Sequence, residues 1–277
     1  MTLITLDLGN ALAGCPATKG IGPYSLKTYM TDHFLSSSQE KLLKIDLSSG
    51  DALQFVVHPK KGKTVITSLD SLSTECQEGV SLEFLPEIIT KLKETGIQFT
   101  ALQFPHAFMV KGRLSSATYR AHFNHIVLYK DSDSHLNVSI IESTINPIGI
   151  YNPVPVLGWF ISNSLISGDE LLQTKLMRVL AGAQTAESLR KCFDLSLESK
   201  VAVTGPILTY KQASTGDKRC SIYVLNAMAA FINCMTSDNK INTQRVSETA
   251  TAAHQQLNEP DMMAISFPGN SSEMVRG

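Results

Sequence analysis

The sequence has 277 residues, a length that suits one large domain or two small ones. Hydrophobic residues make up 43% of the chain and charged residues 18%, so a sizeable core can form and disorder throughout the chain is excluded. The 24 basic and 25 acidic residues give a formal net charge of −1. This balance lacks the strongly basic field that concentrates nucleic-acid phosphates, so we expect no nucleic-acid partner.

The sequence also argues against membrane, secretory and metal-binding classes. Its longest apolar candidate, Val154–Ile166, is shorter than the roughly 20 residues of a membrane-spanning helix and is interrupted by Pro155 and Gly158. The N-terminus lacks the basic and apolar regions of a signal peptide. Five scattered cysteines indicate reduced thiols rather than a disulfide framework. With no CxxC or HExxH pattern, we expect no metal site.

The first third of the chain combines helical and strand patterns. Pro23 precedes a helical segment, and Pro59–Lys63 carries turn chemistry between two apolar, β-branched runs. Apolar residues then recur with the helical period up to Gly96, which is placed as the residue just past a helix end. The predicted elements are a helix over 24–35, a hairpin of strands 53–57 and 64–67, and a helix over 82–94.

The rest of the chain contains more strands and one unusually apolar helix. Asp131–Ser134 reads as the loop of a hairpin centred near Asp133. Cys220–Met235 is apolar on almost every side, which is typical of a buried helix. The other predictions are strands over 99–104, 122–129, 137–141, 200–203 and 207–210, and helices over 167–181 and 247–257.

These patterns predict an α+β fold in which a central mixed sheet is flanked by helices. Residues 1–98 are predicted to form an N-terminal helical and hairpin region that packs on the core. Residues 99–257 form the core itself, and 258–277 form a mobile tail. The first boundary is placed between the helix that Gly96 ends and the strand that follows.

Cys220 is the candidate nucleophile, because it stands in the first turn of the buried helix. A helix N-terminus lowers a thiol pKa, and a thiol nucleophile needs a base and a group that orients the base. In a hairpin centred near Asp133, Glu142 lies opposite position 124, and His122 is two residues away on the same face. His125 points to the other face, so we favour His122 as the base and keep His125 as the alternative.

Each of these residues also has an ordinary structural interpretation. A cysteine in an apolar helix is most often a small core residue, and histidines at strand starts are mostly partly exposed side chains without a role. Glu142 could be a simple strand-end carboxylate. The three residues occur in the order of a histidine strand, a glutamate strand and a helix that begins with cysteine. This combined order favours a catalytic role over three independent structural roles.

At these residues the chain resembles the YopJ-type acetyltransferase effectors, which share the fold of cysteine proteases that process ubiquitin-like proteins. The resemblance covers about 110 residues, from His122 to Phe231. It implies that His122 is the base, Glu142 its orienter, Cys220 the nucleophile and Gln212 an oxyanion donor. The matching residues are His122-Phe123, Tyr129-Lys130, Ser139–Glu142, Gln212, Cys220, Tyr223, Leu225, Asn226, Ala230 and Phe231.

The resemblance implies a bacterial effector that is secreted by a specialised system into the host cytoplasm. It would transfer acetyl from acetyl-CoA through Cys220 to Ser, Thr or Lys of a host protein. In the family, the segment after the cysteine helix helps to bind inositol hexakisphosphate and acetyl-CoA, and here that segment is short. Lys218-Arg219 also stand where the family tends to have an acidic residue, and the Gln212 loop is longer than usual.

Two further functions remain open from the sequence. A protease that cleaves ubiquitin or a ubiquitin-like modifier would use the same acyl-thioester chemistry, so the three catalytic residues do not separate it from an acetyltransferase. An inactive scaffold that binds a host protein would need none of them.

Overall fold

The computed structural model describes residues 23–35, 40–60, 63–74, 79–111, 119–130, 135–142, 178–179, 182–199, 201–208, 220–235 and 243–256. At some element ends it describes the backbone but not the side chain, and His122 and Glu142 are among these positions.

Five helices and nine strands are present in the described ranges. The helices are α1 Pro23–Phe34, α2 Leu85–Glu94, α3 Ala183–Cys192, α4 Cys220–Cys234 and α5 Thr243–Gln256, with a short 3₁₀ turn at Leu82–Phe84. The strands are β1 Lys41–Asp46, β2 Ala52–Lys60, β3 Lys63–Ser68, β4 Leu72–Thr74, β5 Val80–Ser81, β6 Ala101–Lys111, β7 Tyr119–Lys130, β8 Leu136–Glu142 and β9 Val201–Leu208.

The strands form one mixed sheet in the order β1-β2-β3-β6-β7-β8-β9, and β4 pairs with both β5 and β6. The β3–β6 and β8–β9 pairs are parallel, whereas β6–β7 and β7–β8 are antiparallel. The predicted α+β class, with a mixed sheet flanked by helices, is confirmed. The predicted boundary at residue 98 falls between α2 and β6, and strands on either side of it pair directly, with Val65 opposite Ala101.

Helices cover both faces of the sheet, and the alternation along β7 shows which face is which. Phe123, Val127 and Tyr129 belong to one buried cluster with α1, α4 and α5, and we call this side the α4 face. Ile126 and Leu128 belong to a second cluster with α2 and α3, and we call this side the α2 face. No helix in the described ranges is long and apolar enough to cross a membrane.

The hairpin at the centre of the sheet has the predicted register. His125 lies opposite Ile141, and Leu128 lies opposite Val138, so the hairpin is centred on Asp133 as expected. The predicted helices over 24–35 and 220–235 are also confirmed to within one residue at their ends. The helix predicted over 82–94 is a 3₁₀ turn at Leu82–Phe84 followed by α2, and Gly96 has the expected positive φ of 73°.

Other sequence predictions were wrong or incomplete. The two strands predicted over 200–203 and 207–210 are one strand, β9, whose pairing with β8 is irregular between Ser139 and Ile141. Gly205-Pro206 lies at that irregularity, where a bulge accommodates the missing proline donor. Helix α5 begins four residues earlier than predicted, and β1 and α3 were not predicted. The helix expected over 167–181 lies mostly outside the described residues, as does the predicted tail.

Candidate active site

The site is built on α4, which is buried along almost its whole length. From Ser221 to Ile232 no side chain is more than 3% exposed, whereas Cys220, the first residue of the helix, keeps 8% exposure. The sequence CSIYVLNAMAAFINC contains no charged residue, so every side of the helix can pack against other elements. Cys220 thus lies at the end of the buried helix α4, where solvent exposure begins to rise.

Two contacts fix the second half of α4 over the middle of the sheet. The Gln103 side chain of β6 donates to the Thr67 hydroxyl at 2.8 Å and to the Met228 carbonyl at 3.4 Å. One turn later, the Phe231 ring lies 6.0 Å from the His125 ring and 6.3 Å from the Tyr129 ring, between centroids. The helix is therefore held across β6 and β7 by one hydrogen-bonded amide and a small aromatic group.

The three cysteines in the described ranges differ in their electrostatic surroundings. Cys220 is the first residue of α4, at the N-terminal end of the helix. Burial raises the pKa of Cys192 to about 11, although Lys93 acts in the opposite direction. Cys234 ends α4, with its sulfur 3.5 Å from the Thr249 hydroxyl. Only Cys220 combines a helix N-terminus with residual exposure.

The predicted partners of Cys220 are placed only by their backbones. Position 122 pairs with Phe108 on β6, and position 142 pairs with Leu208 on β9. Continuing the observed β7–β8 register puts position 142 opposite Asn124, as the sequence predicted. Positions 122 and 142 therefore share the even-numbered side of their strands. The side chains of His122 and Glu142 and all of Gln212 lie outside the described residues, so their catalytic roles remain predictions.

His125, the alternative base, lies on the α4 face and is fully buried. Neither of its ring nitrogens has a hydrogen-bond partner among the residues that the structure describes. Burial lowers the His125 pKa to about 3, so the ring is neutral at physiological pH. Its partner Phe231 is eleven residues after Cys220, which corresponds to about 16 Å along an α-helix. His125 is thus packed against the C-terminal half of α4, away from the Cys220 thiol.

A second histidine, which the sequence analysis did not identify, forms a buried pair with an asparagine. His106 on β6 lies opposite Asn124 on β7, both side chains are inaccessible to solvent, and His106 Nδ1 is 2.9 Å from Asn124 Oδ1. An amide oxygen accepts but does not donate, so this contact selects the tautomer with the proton on Nδ1. The pair lies on the α2 face, two residues along β7 from His122.

No group of three His, Cys, Asp or Glu side chains in the described ranges is arranged to hold a metal ion. The segment that would take part in binding acetyl-CoA or inositol hexakisphosphate by resemblance follows α4 and lies partly in 257–277, outside the described residues.

The fold and the site define an α+β protein with a cysteine-led, buried helix against a mixed sheet. No family model matches the sequence, and no curated protein matches it. Solved structures of the Legionella pneumophila effector protein RavZ are similar in fold. One aligns over 86% of this chain and 66% of its own, with a TM-score of 0.45 and 10% identity. Another, RavZ in complex with human LC3B, aligns over 85% of this chain and 61% of its own, with a TM-score of 0.43 and 10% identity.

This chain therefore corresponds to about two thirds of the length of the RavZ chains.

We expect Cys220 to react with iodoacetamide faster than the other cysteines at neutral pH. Cys220 is the most exposed of the three described cysteines, while burial raises the pKa of Cys192 and keeps that thiol protonated. Brief labelling followed by peptide mass spectrometry gives the order of modification. Labelling of Cys192 or Cys234 before Cys220 would remove the main support for Cys220 as the nucleophile.

Proposed function

We propose that this chain is a cysteine-nucleophile enzyme that forms an acyl thioester on Cys220 and passes the acyl group to water, a hydroxyl group or an amine. The observation that carries the proposal is the position of Cys220 as the first and most exposed residue in an otherwise buried stretch of α4. A structural core cysteine does not require that position, whereas a nucleophile requires access to its substrate.

The length of α4 argues against His125 as the base, and the proposal assigns that role to His122, although position 122 is on the side of β7 that faces away from α4. Phe231 lies over the middle of β7, and Cys220 is about 16 Å away along the helix axis. About five residues of β-strand cover the same length. Phe123 belongs to the same buried cluster as α4, which favours a helix that runs towards the start of β7. Cys220 would then lie at the level of position 122, beyond the reach of His125.

The sheet register supports Glu142 as the group that orients this base. Positions 122 and 142 are diagonal neighbours on one side of the β7–β8 hairpin, a spacing of roughly 7–8 Å between Cα atoms that long side chains can bridge. Asn124, Ile126 and Leu128 continue the same side of β7 onto the α2 face. The proposal therefore requires the His122 side chain to reach Cys220 past the end of the sheet, where β7 begins and β8 ends, because the two residues are on different faces.

In this mechanism His122 takes the proton of the Cys220 thiol, and the thiolate attacks the carbonyl carbon of the substrate. The leaving group takes the proton back from the imidazolium, and a thioester remains on Cys220. Water, a hydroxyl group or an amine then attacks the thioester, His122 takes the proton of this acceptor, and the Cys220 thiolate is released. Gln212 is assigned to the oxyanion of the tetrahedral intermediate, and Glu142 keeps His122 in the required tautomer.

Two acyl donors fit this chemistry, a ubiquitin-like modifier protein and acetyl-CoA. A ubiquitin-like protein would supply the carbonyl of its C-terminal tail, and hydrolysis would follow. Acetyl-CoA would supply an acetyl group for Ser, Thr or Lys of a host protein, as the YopJ-type resemblance implies. In both cases the substrate would be a protein of the host cell into which the effector is delivered.

The deciding experiment is intact-protein mass spectrometry of the full chain. One sample contains electrophilic C-terminal probes of ubiquitin and of LC3B, which is included because it is the partner in the RavZ complex. A second sample contains acetyl-CoA. A covalent adduct on Cys220 with a modifier probe supports the protease, and an acetyl adduct on Cys220 supports the acetyltransferase. If neither adduct forms on folded protein, the scaffold function replaces both.

A further inference from the structure

A cluster of ionisable side chains joins the C-terminal end of α1 to the sheet, far along the chain from the candidate nucleophile. His58 on β2 and Glu40, the residue before β1, approach within 3.4 Å between Nδ1 and Oε1. Their side chains are only 4% and 7% exposed. The β1–β2 register, with Lys41 opposite Val57, continues to place Glu40 opposite His58. The contact is therefore a cross-strand pair at the start of β1, shielded from solvent.

The last residue of α1 connects this pair to the helix. The Phe34 ring lies 5.0 Å from the His33 ring and 5.5 Å from the His58 ring, with an edge-on geometry in both cases. Phe34, Met30 and Leu26 are buried in the cluster that also contains α4. Phe34 thus stands between two histidine rings at the point where α1 packs over the Cys220 helix.

We propose that His33, Glu40 and His58 form a pH-sensitive latch that holds the C-terminal end of α1 against the sheet at neutral pH and releases it on acidification.

The charges around the cluster explain why acid would release it. Glu40 is one carboxylate facing two histidines, so it can balance only one imidazolium. Lys63, which is buried on the neighbouring β3, adds another positive group two residues from Val65, the partner of His58. The other ionisable groups on the packed elements are Asp32 and Lys41, both exposed, and Lys60, whose side chain is outside the description. A second buried proton would therefore be poorly compensated.

Burial of the His33 ring also favours release of α1 in acid. If His58 Nδ1 donates to Glu40, its second nitrogen Nε2 is buried with no hydrogen-bond partner among the described residues. The pKa of His33 is already lowered, chiefly by burial and also by His58, whereas Glu40 raises it. A histidine pKa that is lower in the docked state means that the released state binds more protons, so acid favours release below the ordinary value of 6.5.

The opposite end of α1 would stay attached. Lys27 Nζ lies 2.6 Å from Asp70 Oδ1, and the second oxygen of Asp70 accepts from the Gln54 backbone N–H at 2.7 Å. Lysine and aspartate ordinarily keep their charges between pH 5 and 8. Acidification would therefore swing α1 out from its C-terminal end and uncover the part of the α4 cluster beneath Phe34.

Hydrogen–deuterium exchange of the full chain tests the latch. Protection of α1 is compared with protection of α2, residues Leu85–Glu94, after correction for the intrinsic exchange rate at each pH. Between about pH 7.5 and about pH 5, α1 should lose protection about tenfold relative to α2. Using α2 as the internal reference separates local release from global acid destabilisation.

Two variants should move the transition in opposite directions. His33→Gln removes the buried ring whose pKa is lowered and should abolish most of the pH-dependent loss at α1. Glu40→Gln removes the only carboxylate of the cluster and should shift release to higher pH. If His33→Gln does not fold, His33→Phe, which keeps an aromatic ring beside Phe34, is measured in its place, with the same expected loss of pH dependence. The latch is refuted if α1 follows α2 at every pH in the wild type, or if the histidine variant keeps the wild-type transition.

Discussion

Replacement of Cys220 by alanine is expected to abolish acyl transfer while the protein stays folded. Without the sulfur no thioester can form, so activity on either donor should fall by about a thousandfold or more. Cys220 is a small side chain at the start of α4, and the helix keeps its packing through residues such as Leu225 and Met228. The free energy of unfolding should therefore fall by no more than about 1–2 kcal/mol. Turnover assays and thermal melts on the same samples measure both quantities.

Cys234→Ala is the matched control, because it removes the thiol at the other end of the same helix. It should retain activity. Activity that survives in Cys220→Ala would refute the covalent mechanism, and activity lost equally in both variants would indicate damage to α4 rather than loss of a nucleophile.

The histidines can be separated by the same assays. His122→Ala should abolish activity, because it removes the base that takes the proton of the Cys220 thiol in the proposed mechanism. Glu142→Ala should reduce activity less, since it acts on the base and not on the substrate. His125→Leu should keep activity at neutral pH. Loss of activity in His125→Leu with His122→Ala still active would identify His125 as the base and overturn the assignment from strand alternation.

His125 is expected to make the protein sensitive to acid, and the size of the effect is unusual for one side chain. The ring is fully buried, and burial lowers its pKa from 6.5 to about 3 in the folded protein. Because the folded pKa is below the unfolded value, the unfolded chain binds the proton more readily. The contribution of the neutral His125 ring to the free energy of unfolding should be fully present above pH 6.5 and should be lost as the pH is lowered towards 3. The full loss is about 5 kcal/mol, of which about 2 kcal/mol appears by pH 5.

Urea unfolding of the wild type and His125→Leu at several pH values measures this contribution. The difference between the two proteins isolates His125 from the carboxylates, which also titrate at low pH. The leucine variant should lose less stability than the wild type on acidification. Parallel pH dependence in the wild type and His125→Leu would show that the ring is solvated in the folded protein.

The centre of the sheet was predictable because its turn chemistry and its strand patterns agree. Asp131–Ser134 is a polar segment between two apolar runs, so it fixes the hairpin centre and, with it, the neighbours of Asn124 and Ile141. Helix α4 was predictable for a similar reason, since fifteen residues without a charge can form only a buried element. These two segments carry most of the proposed site.

The polar pairs could not be predicted because each depends on a strand whose local pattern is misleading. Pro105 suggests the end of a strand, yet β6 continues through it, with Pro105 opposite His125 and His106 opposite Asn124. Lys41–Asp46 does not alternate, so β1 gave no strand signal, and the Glu40–His58 contact depends on it. In both cases long-range pairing in the sheet overrides local preference.

The attachment of β6 also has a consequence for how the chain can be divided. One edge of β6 pairs with β3 and β4, which come from residues before 98, and β6 is eleven residues long. A fragment that begins at residue 99 would leave that edge unpaired next to apolar residues such as Leu102 and Phe104. Such an edge recruits strands from other molecules, so the fragment would be prone to aggregation. The segment before residue 98 thus pairs with the edge of β6 and protects it from pairing with strands of other molecules.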